Sequence, residues 1–376
     1  MPETAPLQSS SLQSSSHPAA DSSIDDVVTT AEPVERVRPL QPASTVRFGA
    51  VGCGWVARDY GVPGLLAAGH VGHVCDADLT AAAAMRAAVS TCGTPPRATA
   101  SLDRLLADDT IDAVYVATPN HTHAPIVEAC AAAGKAVLCE KPLAESVAAA
   151  ERMVDACRRH RVPFATAYDQ RWHPAHRAIA AMIRRGELGQ ITQARVHYAC
   201  WLPPAWSPSE QPHDNWRIDA ARAGGGAGID LAPHGIDLLA MLLGQPFDEL
   251  HGLTQTAVHD YRVDDGAVLM GRLGQTLASL HVGYNCPDAL PRRTLELVGT
   301  GGHLVATNTM GQTPGGSVVV TDAALGTTRE LAFDTTVSPF AEQAKWFAAV
   351  VRGEQSNRFD AAVDVHHHRL LLEALA

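Results

Sequence analysis

Lysine is almost missing from this chain. Lys135, Lys141 and Lys345 are its only lysines, against a combined 29 Lys and Arg in 376 residues. Positive charge is therefore written as arginine almost everywhere, and a lysine hints at a place where a compact ammonium that can share or release a proton is wanted. Aromatic residues are also sparse, at 5%. The eight cysteines contain no C-x-x-C pair and mostly sit inside apolar runs, so neither a zinc nor a disulfide framework is indicated. They read as small buried hydrophobes of a protein in a reducing, cytoplasmic setting. No uninterrupted apolar run approaches the length that spans a bilayer, which excludes a membrane-embedded protein. Basic residues are not in excess either: the formal net charge is −11, which argues against a nucleic-acid partner.

What is present begins with a break in composition. Residues 1–44 are rich in Ser, Pro, Gln and Ala and poor in large apolar side chains. Such a segment cannot bury enough surface to offset the entropy of ordering, so a disordered tail is expected. It holds no basic start followed by an apolar stretch, which argues against a secretory signal. The remaining length exceeds what one core usually serves, and two domains are expected, over residues 45–166 and 167–376.

The first opens with the strand-like run Val46 to Val51, followed by Gly52-Cys53-Gly54-Trp55-Val56-Ala57. This is a G-x-G-x-x-A pattern leading into a helix expected through Ala68. The first glycine permits a tight turn, the second lets a pyrophosphate approach the main chain, and the small third residue allows close packing of helix on strand. The free N–H groups and positive end of the helix dipole then face the phosphates. A second strand, His70 to Cys75, ends in Asp76, placed to accept hydrogen bonds from the hydroxyls of an adenosine ribose. Ala77 and Asp78 follow with no adjacent arginine, which favours NAD over NADP. Asp76 could equally be a solvated acid beside the next helix, with Asp78 suited to cap it.

Ser101 is expected to cap a short helix through Leu106. A buried strand over Ile111 to Ala117 then delivers Thr118-Pro119-Asn120-His121-Thr122-His123 at its carboxyl end, and a helix over Ala124 to Ala133 stops at Gly134. The next apolar run, Ala136 to Cys139, is followed directly by Glu140-Lys141-Pro142. This alternation implies a parallel sheet with right-handed crossovers, and ligands of such sheets bind at the carboxyl ends of the strands. Pro142 keeps Lys141 out of helix, so Lys141 is displayed where it can touch both a cofactor and whatever reacts with it. His121 and His123 raise the question of a metal, but no accompanying ligand set is present and none is expected.

In the second half, helices are expected over Val147 to His160 and Ala175 to Arg185, the latter stopped by Gly186, with a strand over Val162 to Ala167 between them. Strands are expected near Ile191 to Tyr198, Ala267 to Leu273, Thr276 to Tyr284, Thr294 to Val298, His303 to Ala306 and Ser317 to Thr321, mostly antiparallel because their links are short. A glycine-rich loop, Gly224 to Gly228, precedes a helix expected to start near Asp230, with Pro233 in its first turn, and to end before Gly244. Asp230 and His234 would share one face of it. A carboxylate beside an imidazole suits acid–base chemistry, although spacing alone is explained as well by a helix cap and a satisfied surface histidine. Trp201, Trp206 and Trp216 fall in a proline-rich stretch where they could stack on sugar rings or simply pack. His366-His367-His368 lies inside a helical pattern that points them in different directions, so a metal site is not expected there.

Taken in order, Gly52-x-Gly54-x-x-Ala57, Asp76, Ala117-Thr118-Pro119-Asn120 with His123, Gly134-Lys135, Glu140-Lys141-Pro142 and the D-x-x-x-H segment at Asp230 and His234 resemble the glucose–fructose oxidoreductase, inositol dehydrogenase and MocA family. The resemblance covers most of the chain from Val46 onward. It implies an α/β protein with an N-terminal Rossmann dinucleotide-binding domain and a C-terminal α/β domain with a large, mostly antiparallel open sheet. That sheet would turn one face to the active site and the other to a partner subunit, making a homo-oligomer, dimer or tetramer. The resemblance assigns catalysis to Lys141, Asp230 and His234. It places Gly52, Gly54, Trp55, Val56, Ala57, Asp76, Thr118, Pro119, Asn120, His123, Glu140 and Lys141 on the cofactor, and Arg171, Trp216, Arg217, Asp230 and His234 on the substrate. Ala232-Pro233 departs from many members, which have Gly two places after the Asp.

The expected activity is a nicotinamide-dependent dehydrogenation of a sugar, polyol or related hydroxy compound. His234 would be the general base, Asp230 would orient it, and Lys141 would stabilise the developing alkoxide. Two rivals are a relative that holds NAD tightly and cleaves glycosidic bonds without net redox change, and a nucleotide-sensing protein that has lost catalysis.

Overall fold

The computed structural model describes residues 45–90, 94–207 and 214–376; the tail expected over residues 1–44 lies outside them. Six parallel strands form the first sheet: β1 (Arg47–Val51), β2 (His70–Cys75), β3 (Arg97–Thr99), β4 (Ala113–Val116), β5 (Ala136–Glu140) and β6 (Phe164–Ala167), in the order β3-β2-β1-β4-β5-β6. The order reverses between β1 and β4, which opens a crevice at the carboxyl ends of those strands. Strands β4, β5 and β6 are buried at every residue, which is why each reads as an unbroken apolar run.

Helices α1 (Val62–Ala68), α2 (Leu79–Val89), α3 (Leu102–Leu106), α4 (His123–Ala132) and α5 (Val147–Arg159) alternate with these strands. Caps at Asp78, Ser101 and Ser146 each accept an amide of the first turn, close to the positions their sequence signals indicate. The helix after the glycine motif departs from expectation. It opens with a π turn, Ala57–Gly61, in which the amide of Val62 reaches Ala57 O, five residues back. Pro63 has no N–H to offer the carbonyl four residues behind it, and the widened turn absorbs that gap.

The second sheet comprises β7 (Ile191–Ala199), β8 (Glu249–Gln255), β9 (Gly266–Leu273), β10 (Thr276–Gly283), β11 (Arg293–Gly299), β12 (Gly302–Thr307), β13 (Ser317–Asp322) and β14 (Thr328–Glu330), in the order β14-β13-β12-β11-β7-β10-β9-β8. Every neighbouring pair is antiparallel except β7 with β10. Its inner face packs on α6 (Pro174–Arg184) and, beyond the short α7 (Ala220–Ala223), on α8 (Ala227–Leu243), around Leu238, Leu269, Leu280, Leu295 and Leu297. Its outer face leaves Leu253, Val268, Met270 and Leu277 exposed. Strands β8 and β14 were not legible because their residues are mostly exposed and lack alternation.

Helix α8 starts three residues before the expected position, so Pro233 lies inside it rather than in its first turn. The cause is remote: Asp264 accepts from the amides of Gly226 at 2.9 Å and Gly228 at 2.7 Å, capping the helix from another part of the chain. Asp230 is thereby freed from capping. The stretch from Ala220 to Leu243 is long and apolar enough to cross a membrane by length and composition, and most of it is buried in the fold.

The chain closes with α9 (Pro339–Arg352) and α10 (Ala361–Ala374). Trp346 and Phe347 of α9 join Phe48, Leu65 and Tyr115 in the core on one face of the first sheet, while Val365 of α10 joins Val114, Val137 and Met153 on the other. The last helices therefore lock the first sheet to the second half of the chain.

Candidate active site

The carboxyl ends of β4, β5 and β6 face the inner end of β7 and the start of α8 across a pocket of about 280 Å³, at the small end of ligand cavities. Lys141 follows β5 immediately, with a cis peptide to Pro142. Its ammonium donates to Asp230 Oδ1 at 2.8 Å and to the Asp230 main-chain oxygen at 3.0 Å. Tyr284, just past β10, donates its hydroxyl to Asp230 Oδ2 at 2.8 Å, and Arg217 Nε stands 3.8 Å from the same oxygen. Burial pushes the Asp230 carboxyl up, but the charges of Lys141 and Arg217 and the two side-chain hydrogen bonds outweigh it and hold the group below the usual carboxylate range.

His234, one turn further along α8, lines the same pocket. The ring of Tyr198 meets it edge-on at 5.0 Å. Burial, helped by the charges of Lys141 and Arg293, drives its pKa well below the ordinary histidine value, so the imidazole is neutral near pH 7. The expectation that Asp230 orients this ring is corrected by the geometry. Both Asp230 oxygens are taken by Lys141 and Tyr284, and the carboxylate facing His234 Nδ1, at 3.8 Å, is that of Asp169. Asp169 follows β6, is buried, and accepts from the Gln170 side-chain amide at 2.8 Å. Burial, reinforced by the charge of Glu140, raises its pKa to about 7. Glu140 is itself buried and accepts from the Tyr115 hydroxyl at 2.7 Å; burial raises its pKa.

The dinucleotide motif sits beside this pocket. Gly52 has φ +91°, and a Cβ there would collide with Ala117 O; Gly54 has open space where a Cβ would be. Asp76 Oδ2 accepts from the amide of Cys53 at 2.8 Å and Oδ1 from that of Asp78 at 2.9 Å, while Asp78 caps α2. The acid at the end of β2 is thus bound to the glycine loop itself. Trp55, Val56, Thr118, Asn120, Glu140, Trp216 and Arg217 all line the pocket. Asn120 Nδ2 donates to Ala223 O at 2.8 Å, and its Oδ1 is buried without a partner, as is Trp55 Nε1. An open glycine cradle with an unpaired acceptor and an unpaired donor at its edge fits a dinucleotide.

Two expected site residues are engaged in the core instead. Arg171 is buried away from the pocket, its guanidinium forked onto Asp237 at 2.9 and 3.0 Å and onto Asp364 at 2.7 Å, with the Phe359 ring 4.1 Å away. Nε and Nη2 are both committed to carboxylates inside the core and the residue does not line the pocket, so it serves as a structural clamp rather than a substrate contact. His123 is fully buried; Nε2 faces Thr118 O at 2.9 Å and Nδ1 faces Leu143 O at 3.1 Å, stitching the loops after β4 and β5 together. Gly52, Gly54, Ala57, Asp76 and Pro119 are outside the pocket lining itself, beside it. Asp169 had a signal, since it closely follows the end of a parallel strand, as Lys141 does. Tyr198, Tyr284 and Arg293 had none, because they meet only through the register that pairs Tyr198 with Arg293 and with Val282. Among the described residues no group of three or more His, Cys, Asp or Glu could hold a metal, and His366 and His367 are engaged with the main chain of Phe247.

Residues 46–168 match an oxidoreductase family with an NAD-binding Rossmann fold, and residues 176–305 match the GFO/IDH/MocA C-terminal domain. The chain belongs to the GFO/IDH/MocA family. It is 33% identical over 280 residues to the 1,5-anhydro-D-fructose reductase of Ensifer adhaerens, covering 74% of this chain and 80% of the relative. It is 31% identical over 267 residues to a D-xylose 1-dehydrogenase (NADP(+)) of Haloferax volcanii, covering 70% and 77%. A levoglucosan dehydrogenase solved with NADH and levoglucosan shares the fold, with a TM-score of 0.73 and 23% identity over 88% of this chain and 97% of that one. The GFO/IDH/MocA protein described here is therefore an oxidoreductase.

Proposed function

We propose that this oxidoreductase moves a hydride between NAD and a CH–OH carbon of a sugar or polyol, with Lys141 and His234 both acting on the reacting oxygen. The observation that carries the reading is their convergence: an ammonium from the first sheet and a neutral imidazole from α8 line one cavity beside the glycine loop. The bound nicotinamide supplies the hydride acceptor. Gly52, Gly54 and the helix end beyond them would hold its phosphates, Asp76 its ribose, and Asn120 and Trp55 its inner end.

Lysine has three N–H donors, and Asp230 takes two of them. The third is left for the substrate oxygen, where a charge-assisted bond strengthens as alkoxide character grows. His234 accepts the hydroxyl proton at Nε2. Nδ1 then faces Asp169, whose carboxylate steadies the imidazolium. Asp169 is therefore a positioning residue for the base, and Asp230 holds the ammonium in place.

The acid at position 76 would repel a 2′-phosphate, so NAD is the proposed cofactor. The exposed apolar face of the second sheet, with Leu253, Met270 and Leu277, is proposed to pair with a second copy. A panel of sugars and polyols with NAD and with NADP, followed by absorbance of the reduced nicotinamide, tests the reading. Formation of NADH with a preference over NADPH is expected, and Asp76→Ser should erode that preference. No reduced nicotinamide with any hydroxy compound, despite dinucleotide binding, would sink it.

A further inference from the structure

The pocket holds four cations, Lys141, Arg217, Arg292 and Arg293. Three are spoken for. Lys141 and Arg217 face Asp230, and Arg292 pairs with Asp288. Arg293 has no carboxylate partner among the described residues, and its Nε is buried with no hydrogen-bond partner. A buried, unsatisfied guanidinium donor is costly, so its presence beside a ligand cavity asks what completes it.

Its position supplies an answer. Arg293 opens β11 opposite Tyr198 of β7, and its guanidinium lies 5.5 Å from the Tyr198 ring centre. The same ring meets His234 edge-on. Arg293 and the base thus border the same ring and line the same pocket, so a group bound to Arg293 is within reach of a substrate the size of a sugar. Gly311 leaves the space beside Arg293 Nη1 open, since a Cβ there would collide with it.

We infer that Arg293 recognises a carboxylate carried by the substrate, so that the preferred hydroxy compound is a sugar acid rather than a neutral sugar. This rests on the dehydrogenase reading above and narrows its substrate class. A guanidinium fork matches a carboxylate two bonds at a time. One uncommitted guanidinium suits a single negative charge; a phosphate dianion would ask for a second cation, and Arg292 is already neutralised by Asp288. The neighbouring acids Glu140, Asp169 and Asp288 also disfavour a doubly charged group. Binding would further remove a charge that now depresses His234, leaving the base stronger when the right substrate is in place.

The test pairs D-glucuronate with D-glucose and D-galacturonate with D-galactose, titrated into the NADH-loaded protein and followed by the fluorescence of Trp201, Trp206 and Trp216, which line the pocket. Turnover with NAD is measured on the same four compounds. At least one acid is expected to bind tenfold or more tightly than its neutral partner, with the advantage shrinking as salt rises. Arg293→Gln should abolish the advantage and Arg293→Lys should restore part of it. Equal binding of acid and neutral partner in the unaltered protein, or an advantage that survives Arg293→Gln, overturns the inference. Turnover of neutral sugars with no benefit from the carboxylate would do so too, while leaving the dehydrogenase reading intact. Acids held through Arg293 without reduction of NAD by any compound would instead remove that reading and keep the recognition site.

Discussion

Two carboxylates of the same helix teach what separates a reactive site from a structural one. Asp230 and Asp237 lie seven residues apart on α8, two turns along nearly the same face. Each is met by a cation from the end of a parallel strand: Lys141 after β5 for Asp230, Arg171 after β6 for Asp237. The cations differ in what they have left over. Arg171 spends its planar fork on Asp237 and Asp364, and Thr166 donates to the far oxygen of Asp364 at 2.6 Å. Lys141 keeps one donor and faces a cavity. A chain with three lysines places one of them where a donor must remain available.

Breaking the buried member of this comparison should have the largest effect. Arg171→Met strands two carboxylates in the core, and loss of one partner from a buried ion pair costs about 3–5 kcal/mol. Urea denaturation should show a loss of that order, with the KM of the remaining folded enzyme little altered. A variant of ordinary stability whose KM rises instead would return Arg171 to the substrate.

Breaking the open member should spare the fold and remove the chemistry. Lys141→Met is expected to lower kcat roughly 10²–10³-fold, the usual consequence of deleting one transition-state donor, with NADH affinity and urea midpoint close to unaltered. It should also move the pH profile. The Lys141 charge helps hold His234 well below the ordinary histidine pKa, so the acid limb of kcat/KM lies below that value in the parent enzyme. Without the ammonium, the limb of the residual activity should move to higher pH. A limb that does not move would detach His234 from the acid–base role.

The parts legible in the sequence were those encoded locally. Gly52 and Gly54, the apolar strand before Glu140, and the caps at Asp78 and Ser101 need only their neighbours to declare themselves. Reading Asp230 and His234 as one unit failed because the partners that matter come from a distance: Asp264 caps α8 across 36 residues, and Asp169 reaches His234 across 65. Arg171 misled for a related reason. A charged residue at a strand end has the same sequence signature whether its neighbours are water or Asp237 and Asp364. Only β-register, which brings Arg293 opposite Tyr198, could have exposed the remaining pocket cation.

The comparison sharpens further at Asp169, a pocket acid with no lysine or arginine in ion-pair contact among the described residues. Its pKa is raised by burial and the Glu140 charge to about 7 in the fold, against 3.8 when unperturbed. A raised carboxyl contributes stability fully below the unfolded value, and that contribution is lost as pH climbs to the folded one. Asp169→Asn removes this titration while nearly keeping the shape. Relative to the parent, its stability in urea should rise with pH across the window from 3.8 to about 7 and level off above it, the gap widening by about 3 kcal/mol between pH 5 and pH 7 because each unit of elevation is about 1.4 kcal/mol. Turnover should fall at the same time, because an amide cannot balance the imidazolium of His234. A gap that stays constant with pH would place Asp169 in the ionised state throughout and return it to the class of Asp230, a carboxylate whose charge is already matched.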